Sequence, residues 1–213
     1  MKLFFSILIS FLLIGMLKAD DDKYINAMKK NLEKLDSLSD LNSYLDAANN
    51  FERIALAEKD KWLPYYYGSY LYIIASYMDT VKEKKDVYLD KADRLIEVAD
   101  SLQPKESEIY TLKGMSAQAR LSIDPMNRWQ KYGAEVNNNL QTAMDLDTLN
   151  PRPEYLLGTG IYYTPEQFGG GSAAAKPYFE NSMKKYNEFK PANDLMPVWG
   201  RRQVEEMLKR IGG

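Results

Sequence analysis

Histidine and cysteine are both absent from this 213-residue chain. Histidine is the usual general base near neutral pH. With cysteine it also supplies most zinc ligands and the nucleophile–base pairs of covalent catalysis. Only carboxylate, tyrosine and lysine chemistry is left. The acidic residues stand mostly beside Lys or Arg at helical surface spacings, as in Glu52-Arg53 and in Glu205-Glu206 before Lys209-Arg210, which is the pattern of a solvated face. The inventory argues against an enzyme, offers no catalytic residue or metal site and asks for no cofactor. Its distinctive component is aromatic, with 16 Tyr, 7 Phe and 3 Trp. Such side chains bury large apolar areas while keeping a polar tip. A formal charge of −2 with no basic stripe argues against a nucleic-acid partner.

The first nineteen residues read as an address and not as part of a fold. Lys2 supplies a positive start, Leu3 to Leu17 is apolar except for Ser6, Ser10 and Gly15, and Ala19 is a small residue before Asp20-Asp21-Asp22. The run is shorter than the about 20 residues needed to span a membrane. Residues 1–19 are therefore expected to be a cleavable export signal cut after Ala19, with an uncleaved anchor as the alternative. No cysteine stands at the cut to carry a lipid. Residues 20–213 are expected to form one domain with no membrane span, periplasmic or secreted, large enough to bury a core without disulfides.

The aromatic residues must be positioned by helices, because apolar residues recur with helical and not with alternating periodicity. Ile25, Met28, Leu32 and Leu35 share one stripe of a first helix. A second runs from Leu41 to Lys59. Trp62 to Met78 is apolar on nearly every side, as a helix buried between neighbours should be. Residues 79–86 read as a charged loop before a helix over 87–102. Helices over 106–122, 126–146 and 154–163 follow, with Asn137-Asn138-Asn139 weakening the middle of the second of these. Pro177 places the start of the next helix near Lys176, and Pro197 to Arg210 reads as the last. Gly169-Gly170-Gly171-Ser172 could present N–H groups to an anion, but it lacks the G-K-[ST] of a nucleotide loop and reads as a turn.

Within these helices Ala92, Ile96 and Ala99 place small residues on one face before Pro104, and Tyr110 and Gly114 open the next helix. This resembles the tetratricopeptide repeat. The helix-opening glycine recurs at Gly68, Gly114, Gly158 and Gly200, at intervals of 46, 44 and 42 residues. A standard unit is about 34 residues long, so each unit is expected to carry roughly ten more between its two helices. The fold class expected is all-α, a tetratricopeptide-like right-handed superhelix of about nine antiparallel helices with elongated intra-repeat loops. The phrases FERIALAEKDKWLPYYY (51–67), NPRPEYLLG (150–158), TPEQFGGG (164–171) and MPVWG (196–200) resemble those of small exported tetratricopeptide proteins of Gram-negative bacteria. A second resemblance is to the tetratricopeptide component that accompanies periplasmic solute-binding proteins in some transporters.

The resemblance implies a register for the concave face: six and three residues before each glycine, then one and four after it. That selects Trp62, Tyr65, Ser69 and Tyr72; Glu108, Thr111, Met115 and Gln118; and Arg152, Tyr155, Thr159 and Tyr162. These residues either line an open groove for an apolar ligand or a peptide, or pack against the extra loops. They lack the Lys and Asn with which chaperone-tail-binding relatives clamp a carboxylate. The function expected is a non-enzymatic interaction module holding a protein or peptide partner of the cell envelope. The alternative is a carrier for a small apolar ligand beside a solute-binding transport system.

Overall fold

The computed structural model describes residues 21–212. The expected export signal, residues 1–19, lies outside them. Among the described residues there are nine α-helices and no strand. Helix α1 covers described residues 21–32, followed by α2 (Leu41–Ala57), α3 (Trp62–Met78), α4 (Lys82–Leu102), α5 (Ser107–Ile123), α6 (Pro125–Leu146), α7 (Arg152–Tyr163), α8 (Ser172–Glu188) and α9 (Arg201–Gly212). Helices adjacent in sequence pack on each other, and α3, α5 and α7 also meet in succession. These three form an inner layer, with α4, α6 and α8 outside it. The all-α superhelical arrangement expected from the sequence is the one observed.

Local chemistry sets the helix boundaries. Asp40 and Ser43 cap α2 reciprocally, side chain to backbone in both directions. Pro125 opens α6 at a position whose N–H would lack a partner in any case. The central helix α3 buries residues on every side, as its composition requires. The three Asn of α6 do not break it, because Val136, Leu140 and Ala143 are buried on one face and tertiary packing overrides propensity.

Three boundaries differ from the sequence reading. Helix α4 starts at Lys82, not 87, because Asp79 closes a short turn: its carboxylate accepts from Val81 N–H at 2.9 Å and from the Tyr88 hydroxyl at 3.0 Å. The extra length of each unit therefore lies mainly in α4 and α6, at 21 and 22 residues, and of the links within the pairs α3–α4, α5–α6 and α7–α8 only 164–171 is long. Helix α8 starts at Ser172 and carries Pro177 inside it, forgoing one backbone hydrogen bond. Helix α9 starts at Arg201, after an irregular strap over 189–200 that crosses the inner layer.

The repeated glycines mark where helices touch. A Cβ on Gly68 would lie 3.1 Å from Leu95 Cδ1 of α4, one on Gly114 2.5 Å from Leu140 Cδ2 of α6, and one on Gly158 3.0 Å from Phe179 Cε1 of α8. Each is the contact of an inner helix with its outer partner. Gly200 differs. It lies in the strap at φ +108, where a Cβ would collide with the Tyr186 hydroxyl. A left-handed backbone and a close approach both require glycine there.

Candidate ligand site: an aromatic groove on the inner helices

The inner layer is held at one level by a buried polar chain. The Arg152 guanidinium (α7) donates to Glu108 Oε1 (α5) at 2.8 Å, with 0% and 5% of the two side chains exposed. Glu108 Oε2 accepts from the Tyr66 hydroxyl (α3) at 2.8 Å, and that hydroxyl accepts from Trp199 Nε1 of the strap at 2.8 Å. Arg152 also donates to the Pro197 carbonyl and lies over the rings of Phe189, 4.8 Å, and Trp199, 5.3 Å. Burial works against the Arg152 charge, but Glu108 and the surrounding tyrosines outweigh it and raise its pKa. Next to Tyr66 in the chain, the Tyr67 hydroxyl donates to the Leu195 carbonyl at 2.8 Å, and Lys29 of α1 pairs with Asp194 at 2.8 Å. The strap is thus fastened across the inner layer at this end.

Beyond the strap the same face stays accessible. Tyr70, Ile74 and Tyr77 fall on one stripe of α3, and Tyr155, Thr159 and Tyr163 lie along α7. Tyr77 is 41% exposed. Its phenol is nevertheless pushed well above the usual tyrosine range, by burial first and then by Tyr155. Burial likewise raises Tyr70, with Tyr155 and Tyr44 adding to it. Tyr155 is raised by burial against an opposing hydrogen bond from Thr159, with Tyr163 adding to the rise. Helices α3 and α7 both pack on α5. At the far rim Tyr162 and Tyr163 meet edge to face at 5.0 Å, and Tyr163 is 69% exposed.

The twelve residues selected by register fall into three groups. Tyr65, Ser69 and Tyr72 are buried: Tyr65 donates to the Ala55 carbonyl at 3.0 Å, and Tyr72 donates to Asn49 and Glu52, so both rings engage α2. Glu108, Thr111, Met115 and Arg152 are also buried, with Glu108 and Arg152 joined in the ion pair and Thr111 within 3.5 Å of the Asn150 amide. Trp62, Gln118, Tyr155, Thr159 and Tyr162 keep part of their surface. Trp62 packs edge-on against Tyr66, and Gln118 donates across to the Leu156 carbonyl at 3.0 Å. The register missed Tyr70, Ile74, Tyr77 and Tyr163. Because α3 is apolar all round, its pattern does not reveal which stripe is left uncovered.

Two other features are not ligand sites of this kind. In the glycine turn the N–H groups of Gly169, Gly170 and Gly171 donate to the carbonyls of Glu166, Pro165 and Ile161, so these three are engaged within the chain. A cavity of about 460 Å³ lies on the opposite face of α5, between α4 and α6. Its lining is charged, and its Arg120 is already paired with Asp86, Asp90 and Asp93. No group of His, Cys, Asp or Glu among the described residues is placed to hold a metal ion, and no described helix is long and apolar enough to cross a membrane.

Fold and site together define an all-helical protein with partly exposed tyrosines on its inner helices, beside a strap of its own chain. No protein-family model matches the sequence, and no curated protein matches it. Among solved structures it is similar to the HusA haemophore from Porphyromonas gingivalis, with 34% identity and a TM-score of 0.79 over 88% of this chain and 92% of that one. The chain belongs to the same family as that haemophore.

Proposed function

We propose that this protein is an exported, non-enzymatic carrier that binds haem in the groove between α3 and α7. The observation that carries the reading is the coincidence of family and chemistry: a relative of a haemophore leaves accessible, on its concave face, a set of tyrosine rings suited to a flat aromatic macrocycle. The strap covers Tyr66, Tyr67 and one face of Tyr70, so a continuous open channel along α3 is shortened. That favours a small apolar ligand over an extended peptide, and so the carrier reading over the interaction module.

Haem iron in proteins is held by His, Cys, Met or Tyr. Without His or Cys, the ligand candidates among the groove residues named above are tyrosines, whose phenols are protonated at neutral pH. Recognition therefore rests on the macrocycle plane and its burial more than on the iron. The test is competition: haemin bound to residues 20–213 should be displaced by metal-free protoporphyrin at concentrations within about tenfold of its own. Displacement by imidazole alone, with protoporphyrin inert, would show that an iron ligand dominates and overturn the groove reading.

A further inference from the structure

We propose that Trp199 is a positioning residue for the ligand, acting through Tyr70. This rests on the groove reading above and adds the strap to the site as one of its walls. Tyr70 is half-buried on α3, and its ring stacks on the Trp199 indole with centroids 4.9 Å apart and planes 23° from parallel. A phenol ring that forms part of a ligand wall can rotate unless its rear face is held. Here the rear face is held by an indole that is itself fixed three ways. Trp199 Nε1 donates to the Tyr66 hydroxyl at 2.8 Å, the Trp199 carbonyl accepts from the Tyr186 hydroxyl at 2.8 Å, and the Arg152 guanidinium lies 5.3 Å from the indole centroid. Arg152 is in turn locked by Glu108 and by the Pro197 carbonyl two residues before Trp199. The buried ion pair therefore sets the indole, the indole sets the Tyr70 ring, and the Tyr70 ring meets the ligand. Neither Arg152 nor Trp199 need touch it.

The strap has the construction such a wall requires. It is anchored at both ends of its crossing, by Leu195 in the main core and by Gly200, whose positive φ lets the chain pass against Tyr186. Between those anchors Met196, Pro197 and Trp199 are buried or half-buried, and Val198 is 69% exposed.

A double-mutant cycle on residues 20–213 tests the proposal, with haemin affinity and the induced circular dichroism of the bound Soret band as readouts. Trp199→Leu and Tyr70→Leu should each weaken haemin binding by about tenfold, and the pair together by no more than about threefold beyond either, because the two act through one contact. Trp199→Phe keeps a ring on Tyr70 while dropping the Nε1 donor, so affinity should stay within about threefold of the parent. The induced Soret signal at saturation should change in Trp199→Leu and be restored in Trp199→Phe. A purely structural role would lower the melting temperature and leave the bound-state signal unaltered. Parent-like affinity in a folded Trp199→Leu protein, multiplicative losses in the double variant, or a tenfold loss in Trp199→Phe would each overturn the positioning role. Failure of the parent itself to bind haemin would instead overturn the groove reading.

Discussion

The ring of Tyr70, on the third helix, lies nearly flat on the indole of Trp199, 129 residues further along the chain. This contact joins the two halves of the concave face. On one side the strap over 189–200 closes the inner helices over the Arg152–Glu108 pair. On the other, Tyr77 and Tyr155 remain accessible.

The helix contacts at the repeated glycines predict opposite signs for one substitution at two sites. Gly114→Ala gains about 1 kcal/mol of helix propensity, but its Cβ would sit 2.6 Å from Leu140 Cγ, a branch point buried at 0% exposure. Overpacking should outweigh propensity, with a net loss of about 1–2 kcal/mol in urea unfolding. Gly133→Ala, in α6, meets nothing within 4 Å and should stabilise by up to about 1 kcal/mol. If both variants shift the midpoint upward, α5 and α6 are not as close as described.

Breaking the buried pair from one side should cost more than removing it whole. Arg152→Met leaves Glu108 charged at 5% side-chain exposure, and Glu108→Leu leaves Arg152 likewise unpaired. Each should lose roughly 3–5 kcal/mol, whereas the double variant should recover part of that loss. Equal or greater loss in the double variant would mean that Arg152 acts mainly through its ring contacts and the Pro197 carbonyl.

Much of this was legible in the sequence, and the parts that were not have physical causes. The 4-and-3 spacing of Ala92, Ile96 and Ala99 and the recurring Gly68, Gly114 and Gly158 located the helices and their contacts, because small residues are kept where backbones approach. The groove stripe of α3 was not legible: Tyr65, Tyr66, Tyr67, Tyr70 and Tyr72 are chemically alike, and only the positions of α2 and of the strap decide which rings are covered. The strap was read as helix from Pro197, because nothing local announces that the Pro197 carbonyl will be taken by Arg152. Its Trp199 stood within the phrase MPVWG, but the partner of that indole lies 133 residues away at Tyr66.

Alkaline pH should unfold the protein more steeply than its charge alone suggests. Burial raises the phenols of Tyr66, Tyr67, Tyr70 and Tyr186, and pushes Tyr24 up to about 12. The folded state keeps these protons where the unfolded state, with phenols near about 10, has released them. Their stabilisation is complete below that pH and declines as pH rises through the folded values. Spectrophotometric titration should show phenolate absorbance appearing together with loss of helical ellipticity. Reversible ionisation of most tyrosines near pH 10 with ellipticity intact would contradict the burial described.

The central claim is that the Tyr77–Tyr155 groove binds haem, and a Soret titration of residues 20–213 with haemin addresses it most directly. The parent should give a saturable change at one haemin per chain. Tyr77→Ala and Tyr155→Ala should each weaken it by about tenfold, while Tyr72→Phe, whose ring lies against α2, should leave it within about twofold. Unsaturable binding, or losses at Tyr72→Phe equal to those at Tyr77→Ala and Tyr155→Ala, would contradict the account.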